Sequence, residues 1–268
     1  MIQDRKNDHL KICLEKKVEI PGNGLDKYHF QPQALPEIDF VDIKTQTLFL
    51  NQKIEAPLMI AALTGGHESA LKINQNLAQA AQTLKIPLCL GSARAAIEEP
   101  DLAKTYQVRN LAPDIPILAN LGLVQLNYGF GLSECQKAVE ICQADGLFFH
   151  LNALQEVISL DGNSNFRHLI TKLEKIVTKL DKPVLVKEVG CGISKTVAKQ
   201  LCDAGVKIID VAGRGGTSWP LIEAFRNKNP LGQTFADWGI PTAQAIQECS
   251  QVKGLQVIAS GGIRTGIE

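Results

Sequence analysis

The chain has 268 residues, about 45% of them hydrophobic, and its 28 basic side chains balance 28 acidic ones. That length suits one large α/β domain or two small ones with a sizeable core, and zero net charge excludes any global pull toward nucleic acid or an anionic membrane, so an anion must be bound locally. No apolar run approaches the ~18 residues of a spanning helix, and the charged start MIQDRKNDH is no signal peptide.

Residues 1–56 are irregular and contain PGNG and PQALP; a strand pair is expected over residues 39–43 and 47–50. From residue 57 a plan repeats: a short apolar run, a glycine or polar cluster, then a helical pattern. The runs are PLMIAAL (57–63), IPLCL (86–90), IPILAN (115–120), LFFHL (147–151), PVLVKEV (183–189), VKIIDVA (206–212) and LQVIAS (255–260). They are apolar on both faces, as buried parallel strands are. Between them, Ile73, Leu77, Ala80, Ala81 and Leu84 recur at helical spacing. So do Val197, Ala198, Leu201 and Cys202, with Ser194 as N-cap and Gly205 as stop.

This alternation predicts an α/β fold, a TIM (β/α)8 barrel over residues 57–268 whose eighth β/α unit is missing from the chain. Residues 1–56 are expected to be an N-terminal segment contributing to the substrate site. A doubly wound sheet is the alternative, but no GxGxxG follows the first strand. A barrel one strand short leaves two unpaired edges, which proteins avoid. Seven cysteines without a CxxC pair read as reduced thiols of a cytoplasmic protein, and they lack the paired spacing of a zinc site.

Sites in such barrels form at the C-terminal ends of the strands. Here every end carries a polar donor, a charge or a glycine: Leu63-Thr64-Gly65-Gly66-His67, Gly91-Ser92-Ala93-Arg94, Asn120, His150 with Asn152, Lys187-Glu188, residues 213–218 and residues 260–264. Lys187 lies inside an apolar strand, where an unpaired ammonium costs several kcal/mol. An ion pair with Glu188 is disfavoured, because strand neighbours point to opposite faces. The glycine clusters 213–217 and 260–262 suit a phosphate cradle and equally suit two ordinary turns. Arg5, Lys6 and His9 read on their own as a solvated terminus; together with Arg94 they could clamp a diphosphate. Glu156 would repel that diphosphate unless Mg²⁺ lay between them; on its own it reads as a helix-start acid.

Eight segments taken together resemble the type 2 isopentenyl-diphosphate isomerases, which are FMN-dependent TIM barrels. They are RKNDH (5–9), PLMIAALTGG (57–66), GSAR (91–94), ANLG (119–122), HLNALQE (150–156), PVLVKEVGCGIS (183–194), GRGGTSW (213–219) and ASGGIRTG (259–266), in order along nearly the whole chain. The resemblance implies interconversion of isopentenyl and dimethylallyl diphosphate by proton transfer at reduced FMN without net redox. It also implies Mg²⁺ and NADPH as reductant. Leu63, Thr64, Gly65, Ser92, Asn120, Lys187, Thr217, Gly261, Gly262 and Ile263 map to flavin contacts. Arg5, Lys6, His9, Ser92, Ala93, Arg94, Asn152 and Gln155 map to the substrate site, and Glu156 to the metal. Lys187, Gln155 and His150 are the expected catalytic groups. A homo-oligomer, tetramer or octamer, is implied, with no nucleic-acid or membrane partner.

Two departures stand out. Ala93 replaces a larger polar residue in GSAR. Family members also continue past the equivalent of Glu268, so a chain ending there is expected to hold FMN poorly. Two rival expectations are an FMN-dependent or inosinate-dehydrogenase-like oxidoreductase with Cys191 as nucleophile, and an inactive shortened chain.

Overall fold

A strand buried on both faces must be covered on both, and the amphipathic stretches between the apolar runs supply the outer cover. The computed structural model describes residues 2–268, with side chains from residue 5 onward. Helix α1 (Ile2–Glu15) comes first, followed by a long irregular arm and an antiparallel hairpin, β1 (Thr47–Phe49) and β2 (Gln52–Ile54). Then come α2 (Glu68–Leu84), β3 (Leu88–Cys89), α3 (Arg94–Glu98), β4 (Ile117–Gly122), α4 (Leu132–Cys142), β5 (Gly146–His150), α5 (Ala153–Ile158), α6 (Leu169–Lys179), β6 (Val184–Lys187), α7 (Lys195–Asp203), β7 (Ile208–Asp210), α8 (Trp219–Asn227), α9 (Pro230–Thr234), α10 (Thr242–Cys249) and β8 (Gln256–Ile258). Strands β3 to β8 form one parallel sheet in sequence order. The architecture is a curled parallel sheet wrapped by helices, an α/β barrel fold.

Two strand expectations are corrected. Residues 39–43 form a 3-10 turn (Phe40–Asp42), and Thr47–Phe49 pairs forward with Gln52–Ile54. The short link decides this: Leu50 and Asn51 both adopt positive φ, as a tight two-residue hairpin turn requires. Residues 57–63 make a single parallel bridge, Ile60 to Leu88, instead of a strand. Pro87 has no N–H to extend that ladder, and the chain then turns away into Thr64-Gly65-Gly66, with Gly66 at φ +78. Among the described residues, β8 has no strand on its outer edge.

The period-two alternation sorts the side chains. Leu88, Ile117, Leu147, Phe149, Val186 and Ile209 face the helices. Cys89, Leu118, Phe148 and Leu185 face inward and meet Phe49 and Ile54 of the hairpin, which plugs the bottom of the barrel. One step further along the same inward face come Asn120, His150, Lys187, Asp210 and Ser260, a polar layer directly above the apolar one. Ser194 caps α7 by accepting from the Val197 amide, and Gly205 ends that turn at φ +93. Among the described residues no helix is long and apolar enough to cross a membrane.

Candidate functional site

The polar layer is internally connected. His150 Nδ1 lies 2.7 Å from Asn120 Oδ1. A carbonyl oxygen only accepts, so Nδ1 carries the proton and Nε2 is a bare acceptor. Burial, then the charges of Lys187, Arg5 and Lys6, push the His150 pKa down to about 3, so the ring stays neutral. Lys187 stands beside His150 and Asp210 in register. Its ammonium donates to the Glu188 carbonyl at 2.6 Å. The Glu188 carboxylate faces elsewhere and accepts from the amides of Val189, Gly190 and Cys191. Burial nonetheless pushes the Glu188 pKa up to about 7 against those donors and Lys187. Asp210 Oδ1 accepts from Ser260 Oγ at 2.6 Å and from the Ala212 amide, while its buried Oδ2 has no partner.

Close approaches link the strand ends around the mouth. A Cβ on Gly91 would collide with the Thr64 backbone, and one on Gly190 would come within 2.9 Å of the Thr217 carbonyl. The Ala93 amide donates to the Asn120 carbonyl at 2.8 Å. A Cβ on Gly216 would meet the Gly262 amide at 2.8 Å, and one on Gly261 or Gly262 would strike the Gly213 or Gly215 carbonyl. The two glycine clusters therefore interlock backbone on backbone, and Asn23 Nδ2 donates to the Gly262 carbonyl beside them. Thr217 is exposed on this side and bridges Glu19 of the N-terminal arm. Leu63, next to the buried Thr64, is 58% exposed, an apolar side chain left open at the rim.

Helix α1 lays its charged face across the mouth. Lys6 donates to the Gly65 carbonyl, to the Ser92 carbonyl at 3.1 Å and to Tyr106 Oη at 3.0 Å, with the phenol in turn on the Ser92 carbonyl. Burial, with Arg5 and Arg94 nearby, brings its pKa down to about 7. Gly65 is obligatory here, because a Cβ would enter the Tyr106 ring. Arg94 pairs with Glu98 at 2.7 Å and reaches Asn163 Oδ1 at 3.2 Å. Arg5 lies 4.0 Å from Glu156, whose oxygens also take Asn152 Nδ2 at 2.8 Å and the Asn163 amide at 2.5 Å.

His9 Nε2 lies 3.0 Å from Glu223 Oε1, which also takes Gln155 Nε2 at 3.3 Å. The His9 ring meets Trp219 edge-on at 5.1 Å. Burial works against ionisation of Glu223, but the His9 hydrogen bond and charge, the Arg5 charge and the Gln155 hydrogen bond prevail and hold its carboxyl below the usual range.

The structure thus gathers Thr64, Ser92, Asn120, His150, Lys187, Thr217 and the loop at Gly261–Ile263 along the strand ends, and brings Arg5, Lys6, His9, Ala93, Arg94, Asn152, Gln155 and Glu156 to the same face. Sequence reasoning missed Glu223, Tyr106 and Asp210. Asp210 was detectable as a carboxylate inside the apolar run VKIIDVA. Nothing local marked Glu223 or Tyr106, which reach the site through tertiary contacts with α1.

No family model matches the chain. Among solved structures, it is similar to a G81A mutant of an active chimera of (S)-mandelate dehydrogenase, 16% identical at a TM-score of 0.59, covering 99% of this chain and 80% of that one. Inosine 5' monophosphate dehydrogenase from Legionella pneumophila gives 16% identity and a TM-score of 0.59 over 91% of this chain and 63% of that one. At such identities these two show the fold. Isopentenyl-diphosphate delta-isomerases are far nearer in sequence: that of Rickettsia africae (strain ESF-5) is 47% identical over 99% of this chain and 79% of its own length. That of Nostoc sp. (strain PCC 7120) is 47% identical over 99% and 78%. The chain belongs to the isopentenyl-diphosphate delta-isomerase family, type 2.

Proposed function

We propose that this protein interconverts isopentenyl and dimethylallyl diphosphate in isoprenoid biosynthesis, with reduced FMN, Mg²⁺ and an NADPH-type reductant. The observation that carries the reading is the polar layer itself. An inward-facing tier of Asn120, His150, Lys187, Asp210 and Ser260 on an otherwise apolar barrel calls for a polar ligand.

That tier fits a flavin. The unpartnered buried Asp210 oxygen, the lysine with one backbone partner and the open Leu63 side chain offer an acceptor, a cation and an apolar edge to a flat heterocycle. Thr64, Gly65, Ser92, Asn120, Lys187 and Thr217 would hold the ring system, and Gly261, Gly262 and Ile263 its phosphate. The bound group supplies an acid and a base able to move a proton on and off carbon. Lys187 favours an anionic reduced form by its charge. His150, kept neutral, orients Asn120 and adds no charge of its own.

The Mg²⁺ reading fits one arrangement. Among the described residues no group of three or more His, Cys, Asp or Glu could hold a metal. Glu156 keeps room on its oxygens for an ion shared with substrate phosphate, as Mg²⁺ prefers. Arg5, Lys6 and Arg94, with the Ser92-Ala93 backbone, would hold the diphosphate. Gln155, Asn152 and His9 would line the hydrocarbon end and keep water from it. Residues 1–56 are proposed as part of the substrate site rather than a separate unit. The exposed Phe30, Leu35, Phe40 and Val41 of that arm support a homo-oligomer, tetramer or octamer.

The oxidoreductase alternative that takes Cys191 as nucleophile is disfavoured. Burial, with Glu188 nearby, pushes the Cys191 thiol up to about 12, against the thiolate a covalent mechanism needs. The test is turnover in D₂O with pre-reduced FMN. Deuterium is expected at the methyl derived from the terminal methylene, with reductant consumed only catalytically. Product without that deuterium, or stoichiometric reductant loss, would overturn the reading.

A further inference from the structure

Glu223 is fully buried, and its two oxygens serve different neighbours. Oε1 meets His9 at 3.0 Å and Gln155 at 3.3 Å, the side facing the strand ends. Oε2 takes Arg226 Nη1 at 3.2 Å and Asn227 Nδ2 at 3.0 Å, both from the last turn of the same helix, α8. The Arg226 fork is itself fixed from a second direction. Its two terminal nitrogens grip Asp161 at 3.0 and 3.1 Å, and Nη1 also reaches Ser159 Oγ at 3.4 Å. Its Nε lies 3.9 Å from Asp8 of α1 and has no hydrogen-bond partner among the described residues. Asp161 in turn stands 3.9 Å from Arg5. One guanidinium thereby ties α8, the loop after α5 and the helix that carries Arg5, Lys6 and His9.

We propose that Arg226 is a positioning residue for the isomerisation: by occupying Glu223 Oε2 it turns Oε1 onto His9 and Gln155 and fixes both at the hydrocarbon end of the substrate. The inference rests on the function proposed above. The physical reason is that the guanidinium braced by Asp161 is the charged donor on Oε2 and fixes the carboxylate plane, whereas the Asn227 amide alone would be a single neutral donor there. A lysine at 226 would keep the charge and lose the fork. Arg226 itself touches neither the polar layer nor the anion-binding cations; it reaches His9 and Gln155 through Glu223 and Arg5 through Asp161, and an effect through Arg5 would appear in KM.

The experiment compares Arg226→Gln, Arg226→Lys and Asn227→Ala with wild type, each loaded with reduced FMN, measuring kcat and KM for isopentenyl diphosphate separately. Arg226→Gln is expected to lower kcat about tenfold or more with KM moved by less than about threefold. Arg226→Lys should recover part of that loss, and Asn227→Ala should lower kcat by a smaller factor. In the cofactor-free protein, the His9 imidazole signals, assigned with His9→Gln, should shift in Arg226→Gln. The inference is overturned if folded Arg226→Gln keeps kcat within about twofold, if KM alone rises, or if the His9 signals do not move. Should Arg226→Gln fail to fold, Arg226→Lys and Asn227→Ala decide it, and unchanged kcat and His9 signals in both overturn it. A wild type that does not isomerise the substrate sinks the functional reading instead.

Discussion

Lys6, proposed above as a diphosphate contact, shows how a buried cation works against folding. Its ammonium is buried on two carbonyls and a phenol, with Arg5 and Arg94 nearby, and its pKa falls to about 7 from the ordinary 10.5. The folded state disfavours the charged form, so the penalty is complete below pH 7 and fades as the pH rises toward 10.5. Lys6→Met should therefore gain stability over wild type at pH 6, and the gain should shrink toward pH 10. Urea titrations at the two values would measure it, and a gain independent of pH would show that the lysine titrates normally. The same variant should lose affinity for diphosphate. Single residues were legible in the sequence where chemistry clashed with context. Lys187 inside VLVKEV announced a polar cavity, and the inward tier is where it sits. Tyr106 was silent, because its part depends on the absence of a side chain at Gly65, more than 40 residues away.

The hairpin β1–β2 and the loop after α5 sit at opposite ends of the barrel. Phe49 plugs the bottom against Phe148 and Leu185. Phe49→Ala should cost about 3 kcal/mol of stability and leave kcat and KM unchanged, since the plug touches no group at the strand ends. Chemical denaturation with steady-state kinetics would check both halves. Gly162 governs the other end: a Cβ there would strike the Glu156 carbonyl and displace the loop that presents Asp161 and Asn163. Gly162→Ala should lower kcat through Asp161 and Arg226 and also raise KM for the diphosphate through Asn163 and Arg94, both read from steady-state kinetics. At this scale the sequence was partly legible. Buried runs such as IPILAN became strands because nothing interrupts their ladder. Residues 57–63 were as apolar, yet Pro87 opposite and the Thr64-Gly65-Gly66 turn left one rung. The hairpin was misplaced because its register depends on a two-residue turn at Leu50 and Asn51, where Asn suits positive φ but Leu does not mark a turn.

Across the whole molecule, ligands that bind only the folded state must stabilise it. At a hundred times its Kd, FMN should add about 2.7 kcal/mol, and inorganic pyrophosphate should add its own increment. Thermal unfolding of Lys187→Ala should lose the FMN shift and keep the pyrophosphate shift, and Lys6→Met should do the reverse. Loss of both shifts in both variants would mean that the two subsites are one. The parallel strand order was legible because each run follows its neighbour by a helix. The return of α1 across the mouth onto α8 was not, because its only local trace is the charged string RKNDH, which equally fits a solvated terminus.

The meshed glycines carry a consequence for biosynthesis. Asn23 meets Gly262 across 239 positions, and Asp210 receives its Ser260 hydroxyl across 50. A nascent chain still short of Ser260 on the ribosome would lack one of the two interlocking glycine loops of the proposed phosphate seat. On that reading flavin capture would wait until the second of these loops emerges, and would report how far translation has run.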